Sequence, residues 1–317
     1  MAEPTEPVDD EPVRRYLRAL TESGPRPADE VSAGARYKRY LDTNRYVLPW
    51  TSALPTGTAD TATPTGPGGA ELLGALLVDL LGIVRLIWSL PIEATGRVSA
   101  GPPRLLLGRP APSGGALHPI EAYLGCGGGV GPPAGLYHYD PVHHALVRVR
   151  ADDHRAALVG TLAAPPTAVP DVVLVLTAVF TRTMARYGDF GYRLQCQETG
   201  ILLAQALAVA QRLRLPASAH LRFAGTDADR LLGLDGSREG VLAMLGLTMP
   251  EPGLPDPTEP TVPTAAELAG RPAAAEARPP DPMPAGLPAA VLHRAGRDGA
   301  VRTGGPAPTD QAAPKPA

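Results

Sequence analysis

The chain has 317 residues, is rich in Gly (35) and Pro (38), poor in aromatic side chains, and carries a formal net charge of −3. That balance argues against a nucleic-acid binder held by phosphate neutralisation, and two cysteines, Cys126 and Cys196, are too few for a disulfide framework or a zinc cluster. The N-terminal stretch MAEPTEPVDDEPV has neither the basic nor the apolar region of a secretory signal. The longest apolar run, Leu72–Leu90, is cut by Gly74, Asp79, Gly82 and Arg85, so no membrane span is expected and a cytoplasmic protein is.

In chain order, residues 1–12 read as a flexible acidic leader and Val13–Leu20 as a helix that stops before Ser23-Gly24-Pro25. A segment with weak patterning follows, carrying Tyr37, Tyr40, Tyr46 and Trp50, and then a Thr/Pro/Gly/Ala linker, Thr51–Gly69. From Glu71, ELLGALLVDLLGIVRLIW is apolar almost all round and predicts one long buried helix. Ile120–Gly125 and Asp171–Val179 are strand-length β-rich runs, the second expected fully buried. Between them AGLYHYDPVHHALVRVR predicts a hairpin turning at Asp140-Pro141, and the glycines of Gly125–Gly131 read as a hairpin loop. Tyr192–Leu215 predicts a long helix ended by Pro216, with Cys196 as a buried thiol, and VLAMLGL at 241–247 a last strand. Beyond Pro250, 15 prolines and 16 alanines in 67 residues predict a disordered tail, relieved only by a short apolar docking segment at Leu287–Leu292. The expected class is α+β, with an N-terminal helix and linker region at 13–70, the domain proper at 71–250 and the tail at 251–317.

Two segments carry chemistry. Arg109-Pro-Ala-Pro-Ser-Gly-Gly-Ala-Leu-His-Pro119 sets two glycines, which permit positive φ or close approach of a ligand, beside a hydroxyl and a phosphate-compatible guanidinium. On composition alone a plain Gly-Pro turn explains it equally well, and neither a P-loop nor a dinucleotide fingerprint is present. Thr181–Arg193 (TRTMARYGDFGYR) joins a buried strand to a long helix, reading either as a solvated connecting loop with aromatic anchors or as the wall of a site. The seven histidines show no metal-ligand spacing, and no metal is expected.

Taken in order, RPAPSGGALHPIEAYL, GLYHYDPVHHAL, ARYGDFGYRLQCQETGILLAQALAVAQRLRL and LLGLDGSREGVLAMLGL resemble the flavin-dependent azoline dehydrogenases of the nitroreductase superfamily, the SagB/McbC type, over about Glu71 to Leu247. The resemblance implies an antiparallel-dominated sheet flanked by helices, a homodimer with FMN at its interface, and oxidation of thiazoline or oxazoline rings to thiazoles or oxazoles. The substrate would be a ribosomally made precursor peptide in a thiopeptide-like pathway, served by a cyclodehydratase partner. Carried over position by position, Arg109, Ser113, Gly114, Gly115 and Leu117 would lie against the flavin. Glu198 and Gln205 would stand on the helix lining it, and Leu221-Arg222 would approach its N5. The family's catalytic Lys-Tyr pair falls at Arg186-Tyr187, which makes Tyr187 the implied base, with Arg186 favouring its phenolate. Three departures stand out. Arg186 replaces a lysine and cannot give up its proton. The N-terminal phosphate-binding Arg-Arg-Ser has only Arg45, Arg85 and Arg104 as stand-ins, and the late Gly-Arg-Pro reads Gly246-Leu247-Thr248-Met249-Pro250. Another FMN-dependent reaction, such as reduction of a dehydroamino acid or a nitro group, or a flavin-free scaffold subunit, remains open on this reading.

Overall fold

Alternating and fully apolar strands pair here into a seven-stranded sheet, antiparallel throughout, which takes helices on both faces. The computed structural model describes residues 10–22, 37–41, 44–50, 68–90, 92, 94–98, 101–249, 273–276 and 279–302. The linker at 51–67 and most of the acidic leader lie outside them.

The N-terminal helix α1 (Glu11–Glu22) precedes the short strand β1 (Arg45–Val47). The long apolar run then divides. Its first half is helix α2 (Gly69–Leu81), with Leu72, Leu73, Leu76, Leu77 and Leu80 at most 2% exposed. The expected continuation of that helix through Trp88 does not occur. At Gly82 the backbone turns extended and its N–H closes the last turn on Leu77 and Val78, and the β-branched Ile83, Val84 and Ile87 beyond it favour strand. The second half becomes β2 (Arg85–Ser89), paired with β3 (Arg104–Gly108) as a separate two-stranded arm. The arm is exposed where the sequence predicts burial: Leu86 is 64% and Trp88 68% accessible.

The main sheet continues with β4 (Ile120–Cys126), β5 (Gly135–Asp140) and β6 (Ala145–Ala151), the predicted hairpin among them. After helix α3 (Arg155–Gly160) comes β7 (Val172–Val179), buried along its whole length as expected. Helix α4 (Phe180–Tyr187) follows without a loop, so the Thr181–Arg193 segment is helical rather than a connecting loop; Phe180 N bonds to Arg238 O while Thr181, Arg182 and Thr183 turn inward. Helix α5 (Asp189–Arg212), β8 (Ala217–His220), α6 (Gly225–Leu232) and β9 (Glu239–Leu247) complete the domain. Cys196 on α5 is exposed, not buried, because it lies on the side of that helix turned from the sheet.

The strand order is β1-β6-β5-β4-β7-β9-β8. Alternation along β7 sorts the core: Leu174 and Leu176 pack towards α2 and α5, Val173 and Val175 towards α3 and α6. The register Ile120↔Ala178 and Val179↔Glu239 brings the start of β4, the end of β7 and the start of β9 to one end of the sheet. The site is built there.

Parts of the expected tail are folded onto the domain. Residues 273–276 strap the edge, with Ala274 N bonding Val149 O at 3.0 Å and Tyr40 bridging Glu276. Helix α7 (Pro288–Arg302) buries Ala289, Ala290 and His293. Two alanines and a histidine on one helical face, with Leu287 and Leu292 packed beside them, dock the segment that the sequence marks at Leu287–Leu292.

Candidate functional site

Immediately before β4, Ser113 is extended and Gly114–Ala116 form a single 3-10 turn in which Gly115 has φ 64°. Two non-glycine residues, Ala116 (φ 53°) and His118 (φ 46°), are also left-handed. Such conformations cost about 1–3 kcal/mol each and persist only where surrounding contacts enforce them. Those contacts are present. Ala116 N bonds Ser113 O at 3.0 Å, His118 N donates to Ser113 Oγ at 2.8 Å, and Gly114 N donates to Glu198 Oε1 of α5 at 2.8 Å. Burial pushes the Glu198 carboxyl up, while the bonds from Gly114 and Ser113 pull it back.

The opposite side of the turn meets the end of α4. A Cβ placed on Gly115 would stand 2.8 Å from the Tyr187 hydroxyl and 3.4 Å from Arg186 Nη1, so only glycine allows this approach. The Arg186 guanidinium lies 5.6 Å from the centroid of the Tyr187 ring. Gly188, at φ 55° and ψ −141°, ends α4 in a conformation open essentially to glycine alone and starts α5 at once. Two motifs some 70 residues apart thus meet at one point, Gly115 against Arg186-Tyr187.

Behind the turn lies a charged cluster that motif reasoning misses. Arg182 Nη1 sits 2.6 Å from Glu121 Oε1 and donates to His118 O at 2.9 Å, and His138 Nε2 lies 2.9 Å from Glu121 Oε2. All three side chains are at most 4% exposed. Burial alone would raise the Glu121 carboxyl, but Arg182, then His138 and Arg109, hold it well below the usual carboxylate range. Arg109 stacks 5.4 Å over Tyr37, and its Nε is buried with no hydrogen-bond partner. The signal that could have found the cluster is Glu121 itself, a carboxylate inside an otherwise apolar strand.

Beside the turn an open groove of about 710 Å³ runs along α5, lined among others by Pro112, Ser113, Gly114, Leu194, Glu198 and Ile201. Among the described residues on its walls, Glu198 is the one ionisable side chain. Leu117 joins the site, its Cγ 3.7 Å from the same Gly115 position. Other expected members do not. Gln205 Nε2 donates to Asp79 O at 2.6 Å, which ties α5 to α2 two helical turns beyond Glu198. Leu221-Arg222 follow β8, three strands across the sheet from β4, where Arg222 O accepts from Ala163 N. Arg45 faces Asp140 at 3.8 Å, and Arg85 and Arg104 belong to the exposed arm.

These residues fit an anionic, flat cofactor such as FMN. A glycine turn that admits no Cβ gives close backbone approach, and the buried guanidinium of Arg182 and the half-buried one of Arg109, whose buried Nε has no partner, face one carboxylate among the described residues, Glu121. A buried excess of positive charge calls for an anion. Among the described residues no group of three or more His, Cys, Asp or Glu side chains is placed to hold a metal ion, and no helix is long and apolar enough to cross a membrane.

No family model matches the chain. It is 34% identical over 106 residues to a Methanocaldococcus jannaschii protein assigned as a nitroreductase, covering 33% of this chain and 53% of that protein. It is 31% identical over 140 residues to the microcin B17-processing protein McbC of Escherichia coli, covering 42% of this chain and 49% of the relative. The chain therefore spans about half the length of the curated relatives it matches. A solved structure from Anabaena variabilis, described as a nitroreductase, superposes with a TM-score of 0.57 at 24% identity, over 81% of this chain and 52% of that one. The fold is nitroreductase-like, and the homologues belong to the nitroreductase-like superfamily.

Proposed function

We propose that the chain is an FMN-dependent oxidoreductase that oxidises thiazoline or oxazoline rings to thiazoles or oxazoles on a ribosomally made precursor peptide, in a thiopeptide-like pathway. The observation that carries this reading is the contact of Gly115 with Tyr187 and Arg186. The likeness to a microcin-processing protein supports a peptide as substrate; a cyclodehydratase would be the partner that makes the ring.

When bound, the flavin supplies a two-electron acceptor for hydride. Every other task falls to the chain. Ser113, Gly114 and Gly115 present backbone at close range, with Leu117 packed beside them. Arg109, its Nε unpartnered, offers a charge-assisted bond to the phosphate. Arg186 cannot release a proton, so the proton lost by the ring carbon is assigned to Tyr187 Oη, the titratable atom nearest Gly115. The groove along α5, with Leu194, Ile201 and Ala204 on its walls, suits an extended, largely uncharged peptide segment.

A homodimer completes the proposal. Helix α2 is consumed by its own core and offers no surface for this. The exposed Leu86, Trp88, Leu105 and Leu106 of the arm, and Phe190 and Leu207 of α5, are the apolar surfaces a second copy would cover. An isolated two-stranded ribbon is marginal in water, which favours a cover over the arm.

The test is the visible absorption spectrum of the purified protein after soaking in FMN and desalting, followed by oxidation of a thiazoline peptide. Retained flavin with thiazole formation supports the proposal. Retained flavin with turnover only on nitro or dehydroamino-acid substrates moves it to another reaction in the same cradle. A colourless protein favours a flavin-free scaffold, a reading motivated by the missing phosphate-binding arginines, each worth about 1.5–3 kcal/mol of binding.

A further inference from the structure

The junction next to Tyr187 is held by two segments from opposite ends of the chain. Gly188 sits in its glycine-only conformation, and Asp189 begins α5. From the N-terminal side, the Tyr16 hydroxyl of α1 donates to Asp189 O at 2.9 Å. From the C-terminal side, Ala289 N of α7 donates to Asp189 Oδ1 at 2.9 Å.

The second bond has a specific meaning. The first intrahelical bond of α7 runs from Val291 N to Leu287 O at 3.0 Å, which makes Leu287 the N-cap residue. Leucine has no oxygen with which to satisfy the free N–H groups of the first turn. Pro288 needs no partner, but Ala289 does, and the carboxylate of Asp189 supplies it from another helix. Around this bond the two terminal helices pack on α4 and α5 through buried rings. Tyr16 meets Tyr192 edge-on at 6.1 Å, Tyr192 Oη lies 3.1 Å from His293 Nδ1, and Phe180 lies 4.5 Å from His293 between ring centroids. Arg15 Nη2 reaches Gly286 O at 3.4 Å, so α1 and the start of α7 also hold each other.

We infer that Asp189 is a positioning residue: by capping α7 from outside and accepting from Tyr16, it makes the two chain ends a clamp that sets Gly188, and through it the place of Tyr187 against Gly115. The inference rests on the proposed role of Tyr187 and adds a regulation to it. Proton transfer at the site depends on docking of a C-terminal segment that its composition describes as a tail. The Gly188 conformation has no side chain to restrain it, so restraint comes from the flanking residue. Tyr187 lies two residues from Asp189, and on its other side the α4–α5 angle is closed by Gly191 against the Met184 backbone, where a Cβ would stand at 2.8 Å.

The test uses the full-length, FMN-loaded protein and three variants: Asp189→Ala, Asp189→Asn and Tyr16→Phe. Amide hydrogen exchange is read over Arg186–Gly191 and over Gly286–His293, alongside kcat and KM on the thiazoline peptide. Asp189→Ala is expected to quicken exchange in both segments about fivefold and to lower kcat about fivefold, with KM within twofold. Asp189→Asn keeps an acceptor oxygen and should restore both readouts. Tyr16→Phe should quicken exchange at Arg186–Gly191 while leaving the start of α7 unchanged. Faster exchange at the start of α7 with an unchanged junction and unchanged kcat would reduce Asp189 to a helix cap and overturn the inference. Failure of Asp189→Asn to restore the junction would overturn it as well. A wild-type protein that holds flavin but does not oxidise the azoline sinks the proposed reaction only; the exchange measurements still decide the clamp.

Discussion

Gly115→Ala separates two costs that the structure places at one atom. The first is conformational. Gly115 has φ 64°, and an L-residue there loses about 1–2 kcal/mol relative to a right-handed conformation. The second is steric. The new methyl would lie 2.8 Å from the Tyr187 hydroxyl and 3.4 Å from Arg186 Nη1, and forcing a methyl into a packed position costs typically about 1–3 kcal/mol. Together the loss is roughly 2–5 kcal/mol, and at about 2–4 °C per kcal/mol for a domain of this size Tm should fall by on the order of 5–15 °C. Only the steric part depends on Tyr187. In the Tyr187→Phe background the oxygen that the methyl meets is gone, so Gly115→Ala should cost about 1–2 kcal/mol less there than in the wild type. Urea unfolding of the two single variants and the double variant measures that coupling. Gly114→Ala is the control: its Cβ would meet Glu198 Oε1 and Leu194 Cδ1 at 3.4 Å with no positive φ, and it should cost less than about 1 kcal/mol. Additive effects of Gly115→Ala and Tyr187→Phe, within about 0.5 kcal/mol, would refute the claim that the turn and α4 meet at that hydroxyl.

Tyr187→Phe should abolish azoline oxidation while the flavin stays bound; undiminished turnover at full flavin content removes Tyr187 from proton transfer. Arg109→Ala should lower the FMN-to-protein ratio after desalting, and an unchanged ratio means the phosphate is held elsewhere. Glu276 gives a pH signature. Burial pushes its carboxyl up to about 7 against the opposing pull of Lys38, with Glu239 adding to the rise. The folded chain therefore holds a proton that the unfolded chain has already released near its ordinary value of about 4.3. Stability from this group is greatest below that value and declines as pH rises towards 7. Glu276→Gln should remove this contribution, so the difference in unfolding free energy between variant and wild type grows in the variant's favour from pH 5 to 7.5. A constant difference across that range shows that the strap is not held by a protonated Glu276.

The fold was legible where period and burial agree. Asp171–Val179 reads as a buried strand because no polar residue interrupts it before Thr177, and the hairpin reads from LYHY and ALVRVR on either side of Asp140-Pro141. Legibility failed where one apolar run serves two structures. Leu72–Leu81 and Arg85–Ser89 belong to one apolar run, and Gly82 with the β-branched residues after it marks the change from buried helix to exposed arm. At α7 the apolar segment Leu287–Leu292 was legible as a docking element, but the averaged composition around it predicts disorder and hides the helix it belongs to. The two halves of the candidate site were each visible as motifs, PSGG and Arg186-Tyr187, and the structure brings them together at Gly115. The supporting charges were not visible in the same way. Glu121, His138 and Arg182 come from β4, β5 and α4, and nothing in their spacing relates them until Glu121↔Thr177 and Tyr123↔His138 fix the strand register. A buried charge costs free energy unless paired, so a lone carboxylate in an apolar strand demands a cation from elsewhere in the fold. Here that demand is met by Arg182, which also holds His118 O and so ties the sheet to the strained turn. The turn is thus fixed from three directions, by Arg182 below, Glu198 from α5 and the end of α4, and that enclosure maintains left-handed Ala116 and His118 at a site where a freely solvated loop would relax.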